Sequence, residues 1–195
     1  MGVFLSADWH LGHKRIQEFQ PNRKQGSIDD HDNWVIDQIN ATCGEGDTVY
    51  ALGDNAMGEK ERWPGLFARI RPHIKFIVGN HDPQFPANKP RYIEKYSHYY
   101  DGYEVLGLEA VIELAGRKVR LSHFPYKGDH FDEDRYELYR PADDGMVLVH
   151  GHVHGSEVIS YSPAGTLQIH VGMDAWGRPV SEYEIEDLIK KFGNA

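Results

Sequence analysis

Short apolar runs alternate with helically spaced apolar positions through the first eighty residues. Val3 to Ser6 is a short apolar run that reads as a first core strand. Ser27 to Thr42 carries Trp34, Val35, Gln38 and Ile39 at helical spacing, with Asp29 or Asp30 as its expected cap. Asp47 to Leu52 follows the turn Gly44-Glu45-Gly46 and is expected to be a strand. Glu59 to Arg71 is expected to be helical, with Pro64 near its first turn and Pro72 just past its end. Ile74 to Val78 is a β-branched strand. Three strands with helices between them make a βαβαβ half, which implies a parallel sheet with right-handed crossovers.

The second half is richer in strands. Val105 to Leu114 and Lys118 to Ser122 flank Ala115-Gly116-Arg117, a plausible hairpin turn. Met146 to Val149 is expected to be a buried strand, and Glu157 to Tyr161 to pair with Thr166 to Val171. Ser181 to Phe192 reads as the last helix, with Ser181 and Glu184 at capping-box spacing. Residues 83–103 hold several prolines and tyrosines and show no clear period. No repeat, low-complexity segment or linker is evident, so one domain over residues 1–195 is expected, with no separate cap domain.

Composition narrows the class. Apolar residues make up 40% and charged residues 26%, the balance of an ordinary globular chain. No apolar run approaches a membrane span, and the first residues lack the basic and apolar regions of a signal peptide. The single cysteine, Cys43, excludes an internal disulfide. Together these features lead to the expectation of a cytoplasmic protein without membrane partners. The net charge of −9 argues against long duplex nucleic acid as a partner. A small phosphate ester remains compatible, because bound cations reverse the local sign.

The chemistry concentrates in five polar clusters, four of them directly after an expected strand. They are Asp8-Trp9-His10, Gly53-Asp54-Asn55, Gly79-Asn80-His81-Asp82, Ser122-His123 and Gly151-His152-Val153-His154-Gly155. Ligands of open α/β sheets gather at the carboxyl ends of strands, so these distant residues can converge. Gly53, Gly79 and Gly151 let the chain turn sharply out of a strand. Carboxylate, amide oxygen and imidazole suit a borderline divalent ion. The set is too large for one four-coordinate zinc. Two ions roughly 3.5–4 Å apart, sharing a carboxylate and a bridging hydroxide, would use it. Taken singly, Asp8 or Asp54 would often be a helix cap, and His123 a core histidine.

In their order, Asp8-x-His10, Gly53-Asp54, Gly79-Asn80-His81-Asp82, His123 and Gly151-His152-x-His154 resemble the calcineurin-like metallophosphoesterases. The tail from Val171 to Val180 is similar to the end of small bacterial and phage members. The resemblance implies a four-layer α/β/β/α sandwich. It implies that Asp8, His10 and His154 hold one ion, that Asn80, His123 and His152 hold the other, and that Asp54 bridges them. His81 would be the non-ligand histidine at the leaving oxygen, with Asp82 fixing its tautomer and orientation. The activity implied is phosphate-ester hydrolysis by two divalent ions, Mn²⁺ first, with Fe, Zn or Ni as alternatives. Small or cyclic nucleotide diesters are the leading substrate class, by analogy with compact relatives. The alternatives are a nuclease on short or single-stranded ends, a phosphomonoesterase or protein phosphatase, and, last, a non-catalytic scaffold.

Other residues carry weaker signals. His13, Lys14 and Arg15 could contact phosphate or belong to a solvated loop. His150 reads as a support for the ligand loop and His170 as a neighbour of the site, while His31, His73, His98 and His130 read as surface or structural. Tyrosines 92, 96, 99, 100 and 103 suggest a packed face more than a base-stacking surface. The acidic run from Asp129 to Asp134 reads as solvated.

Overall fold

The first strand, β1 (Val3–Ser6), is followed by a one-turn helix α1 (Ile16–Phe19) and the longer α2 (Ile28–Thr42). Strand β2 (Thr48–Leu52), a 3₁₀ turn with α3 (Trp63–Phe67), and β3 (His73–Ile77) complete the expected βαβαβ half. Then come α4 (Pro90–Tyr96), β4 (Glu104–Val105), β5 (Glu109–Leu114) and β6 (Arg117–Ser122). The chain continues through β7 (Leu148–His150), β8 (Ile159–Tyr161), β9 (Leu167–His170), α5 (Met173–Trp176), β10 (Val180–Ser181) and α6 (Glu182–Phe192). This computed structural model describes residues 1–114, 116–129 and 135–193. Ala115 of the expected hairpin turn lies outside the described residues, as do His130 and the rest of the acidic run after Asp129.

The strands form two five-stranded sheets, ordered β10-β1-β2-β3-β4 and β5-β6-β7-β9-β8. In the first, β1, β2, β3 and β4 are parallel and only β10 is antiparallel. In the second, β6, β7 and β9 are parallel, with antiparallel edges β5 and β8. The result is the expected mixed α/β fold, two sheets flanked by helices. Alternation along each strand divides the core. Val49 and Ala51 face Val35, Ile36 and Ile39 of α2, together with Trp63 and Phe67 of α3. Leu5, Leu52 and Ile77 point the other way, to Val119, Leu121, Val149 and Ile169 of the second sheet. Ile185 and Ile189 of α6 close that layer, and each buried aliphatic side chain contributes about 1.5–3 kcal/mol.

Three expectations are corrected. Ser27, not Asp29 or Asp30, caps α2, and Asp30 completes a capping box from the third helical position. The helix expected to reach Arg71 stops at Phe67, because the Asn40 side chain donates to Arg69 O and accepts from Arg71 N, diverting the backbone. The apolar run 105–114 is two strands in different sheets. Gly107, at φ 86°, breaks it between β4 and β5. Residues 83–103, unassigned from sequence, contain α4 and a 3₁₀ turn whose tyrosines pack on Trp63, Phe67 and Phe76. The expected cap pair of α6, Ser181 and Glu184, is present as a full capping box.

Parallel pairing brings the ends of β1, β2 and β3 to one edge, and those of β6 and β7 to one edge. The sheets are joined there. Ala7 N donates to Val171 O and Met173 N donates to Ala7 O, both at 3.1 Å. Among the described residues, no helix is long and apolar enough to cross a membrane.

Candidate metal centre

At this edge the backbone itself is unusual. Six non-glycine residues have positive φ among the described residues, and five of them are Asp8, His10, Asp54, His152 and His154. Such conformations cost about 1–3 kcal/mol each and persist where the surroundings over-determine them. Loop packing supplies that constraint. A Cβ on Gly53 would stand 2.7 Å from Gly79 Cα, and a Cβ on Gly79 would stand 2.4 Å from Asp54 N. Gly53 also needs its φ of 86°, whereas Gly79 is required only by crowding.

Two sets of ligand atoms converge. One atom each from Asp8, His10 and His154 lies within 4.8 Å of the others, and so does one each from Asp8, Asp54 and His123. Asp54 Oδ2 reaches both sets, 3.9 Å from His10 Nε2 and 3.5 Å from His123 Nε2. Asn80 Oδ1 stands 3.1 Å from His123 Nε2. His152 is tied to the site by its backbone N, which donates to Asp8 Oδ2 at 3.0 Å. Its ring lies 5.1 Å from that of His123, but its Nε2 stands 3.2 Å from Asp129 Oδ2 rather than among the converging atoms. Six of the seven expected ligands thus meet directly, and the seventh borders them.

The histidine rings are oriented from behind. His123 Nδ1 is 2.9 Å from Leu52 O and donates to it, leaving the Nε2 lone pair for the site. That lone pair would face only the oxygens of Asn80 and Asp54, an arrangement that calls for a proton or a cation between them. His154 Nδ1 lies 2.7 Å from Asp174 Oδ2, and its Nε2 is 3.2 Å from His10 Nε2. These donor sets fit divalent ions: buried carboxylates, an amide oxygen and imidazole lone pairs meet with little else to neutralise them.

Electrostatics agree with that fit. Burial works to raise Asp8, yet His154, His170, His123 and His10 hold its carboxyl below the usual range. Burial opposes ionisation of Asp54 too, and His123, His81 and His10 overcome it. Burial would lower His123, but Asp54 and Asp8 raise it to about 9. His10 is pushed well below its ordinary value by burial and by His154.

His81 stands at the mouth, its side chain 44% exposed, with Nε2 3.9 Å from Asp54 Oδ2. Its backbone N donates to Asp54 Oδ1 at 2.8 Å. Asp82 does something other than orient His81. Its carboxylate accepts from Asp54 N, Asn55 N, Asn55 Nδ2, Gly79 N and Tyr100 OH, at 2.8–3.1 Å. Among the described residues no hydrogen bond joins it to the His81 ring, its oxygens being engaged by these five donors. Asp82 holds the Asp54 and Asn80 loops together. Burial and the Asp54 charge raise it to about 6.

Several residues escaped sequence reading. Arg23 is buried and donates to Asp174 Oδ1 and Oδ2 at 2.7 and 2.8 Å, and to Asp8 O at 2.7 Å. Asp129 was expected to be solvated, yet its side chain is covered and pairs with Arg135 and His152. Lys14 pairs with Glu59 at 2.7 Å. His150 Nδ1 lies 2.8 Å from Gly151 O, consistent with supporting the ligand loop, and His170 Nε2 is 3.9 Å from Asp8 Oδ2. The site floors a cleft of about 740 Å³ lined by His10, Asp54, Asn80, His81 and His154, with His13, Ile16, Phe19, Met57 and Tyr136 among its walls.

Facing sheets bring carboxylates and imidazoles to one edge, a donor set for divalent ions, and the family match makes this a phosphoric ester hydrolase. The chain belongs to the calcineurin-like phosphoesterase superfamily, whose domain matches residues 1–183. That family is dinuclear-metal dependent, in keeping with the two ligand sets. The chain is 37% identical to the Gene 66 protein of Mycobacterium phage L5, over 96% of this chain and 93% of that protein. It is 33% identical to the Gene 66 protein of Mycobacterium phage D29, over 96% and 95% of the two chains. The solved structure of AQ665 from Aquifex aeolicus, a protein of unknown function, matches with TM-score 0.68 and 25% identity, covering 96% of this chain and 99% of that one.

Proposed function

We propose that this protein is a Mn²⁺-dependent phosphodiesterase acting on small phosphate diesters, nucleotides among them. The reading rests on one observation: two ligand sets sharing Asp8, with Asp54 touching both, at the floor of an open cleft. Asp8, His10 and His154 would hold one ion; Asn80, His123 and His152 the other, with Asp54 between. When bound, such a pair lowers the pKa of water and neutralises phosphoryl oxygens.

The chain supplies position and a proton. Asp54 fixes the His81 backbone, so the imidazole sits beside the reacting centre and can protonate the departing oxygen. Asn80 turns its carbonyl oxygen to His123, which leaves its amide hydrogens for a phosphoryl oxygen. Asp82 holds the two loops at fixed separation through the hydrogen bonds to Asp54, Asn55 and Gly79. The apolar cleft walls give a diester's organic arms a surface that a bare phosphate does not need.

The test is a substrate panel with chelated protein, with and without Mn²⁺. It should include aryl phosphate mono- and diesters, cyclic nucleotides of both ring types, and oligonucleotides. Diester hydrolysis abolished by chelator and restored by Mn²⁺ supports the reading. Activity on monoesters alone, or turnover indifferent to stripping, would overturn it.

A further inference from the structure

The segment from His13 to Gln20 forms one wall of the cleft, through His13, Ile16, Phe19 and Gln20. The hydrolytic reading uses them only as part of the apolar wall and assigns no contact to any one of them. The backbone of His13 is tied on both sides: its N donates to His10 O at 3.0 Å, and its O accepts from Ile16 N at 3.1 Å. Its ring lies 5.6 Å from that of His10, a proposed ligand. Among the described residues, the buried His13 Nδ1 has no hydrogen-bond partner. Buried orphan N–H groups are rarer than orphan acceptors, so the ring proton belongs on Nε2, the nitrogen left to the cleft. Among the described residues no hydrogen bond engages the His13 ring, and its side chain lines the cleft, so Nε2–H is the donor it has to offer there.

Behind this donor lies an apolar surface. Phe19 is 55% exposed and its ring lies 6.1 Å from that of His13. The Arg15 guanidinium stacks against it at 4.9 Å, which steadies the ring. Polar donor first and apolar platform next is the order of groups along an ester arm: oxygen, then its organic substituent.

We infer that His13 and Phe19 form the subsite for the non-leaving arm of a phosphodiester, His13 donating to the unbroken ester oxygen and Phe19 packing on an aromatic or apolar group attached to it. This rests on the phosphodiesterase reading and narrows it to diesters bearing an aryl or nucleoside-like arm. His81 serves the opposite arm, the one that departs.

The experiment compares kcat/KM for bis(p-nitrophenyl) phosphate and p-nitrophenyl phosphate in the Mn²⁺-loaded protein. His13→Ala and Phe19→Ala should each lower the diester-to-monoester ratio by about tenfold, the size of one lost contact. His13→Gln keeps a donor at similar reach and should recover most of the ratio. Lys14→Ala, on the same segment but engaged by Glu59, should leave it at the wild-type value. A ratio unmoved by His13→Ala, or moved equally by Lys14→Ala, overturns the inference. Calorimetric titration with diphenyl phosphate and inorganic phosphate provides a readout free of turnover. His13→Ala should weaken diphenyl phosphate about tenfold relative to inorganic phosphate. Equal weakening of both, or none, refutes the subsite. Absent turnover with this binding difference intact would instead count against the hydrolytic reading alone.

Discussion

His154 Nδ1 stands 2.7 Å from Asp174 Oδ2, and the same carboxylate is gripped by both nitrogens of the Arg23 fork. The chain from Arg23 through Asp174 sets which nitrogen of His154 faces the cleft. Burial works to raise Asp174, but Arg23 and His154 hold it below its ordinary value. The imidazole thereby gains basicity at Nε2.

Replacing Asp174 by Asn should weaken Mn²⁺ binding by about 10–100-fold, the usual loss when a ligand's supporting carboxylate is removed. Arg23→Met should act on stability instead. It leaves a buried carboxylate without its guanidinium, at a cost of about 3–5 kcal/mol. Metal titration and urea unfolding separate the two effects, and equal metal affinity in Asp174→Asn would sink the orienting role.

His81→Ala should lower turnover by about 10²–10⁴-fold, the range of a lost general acid, while the metal content stays near that of the unaltered protein. Its ring is the most exposed of the cluster and touches Asp54 only at 3.9 Å. Elemental analysis beside the kinetic assay decides the matter, since co-loss of metal and activity would make His81 a ligand.

Asp54→Ala removes the carboxylate common to His10 and His123. Both ions should be lost, and with them the rise in melting temperature that Mn²⁺ gives the unaltered protein through binding linkage. A variant that kept a full complement of metal would contradict the bridging assignment.

Acid should unfold the metal-free protein partly through His150. Burial and the neighbouring His170 lower it from 6.5 to about 3. The folded state therefore keeps it neutral, while the unfolded chain takes up a proton near pH 6.5. Its stabilisation is present above 6.5 and is lost as pH falls towards 3, with a slope approaching about 1.4 kcal/mol per pH unit. His150→Gln, measured by urea unfolding across pH 3–7 with chelator present, should flatten that slope. An unchanged slope would show that other groups carry the acid sensitivity.

Much of this centre was visible in the sequence because strand-tip ligands leave local marks: an apolar run, then Gly-Asp, Gly-Asn-His-Asp or Gly-His-x-His. The supporting residues leave none. Arg23 sits in a polar stretch that resembles any exposed loop, and Asp174 lies 151 positions away. Asp129 opens a run of charges that reads as solvent-facing. For Asp82 the resemblance implied a contact with His81 that its hydrogen bonds do not make: its carboxylate turns to Asp54 N and Gly79 N. The fold shows the same division. Periodicity located the strands, but 105–114 kept its alternation while crossing between sheets, and only the geometry at Gly107 reveals the change.

The left-handed backbone at Asp8, His10, Asp54, His152 and His154 also bears on engineering. A chain selected only for heat resistance without its cations would be free to place glycine or asparagine at those five positions and relax them. Such a variant would outlast its parent in a chelating buffer and do no chemistry. Thermostabilising screens on this scaffold therefore belong in metal-supplemented medium, where selection acts on the loaded protein.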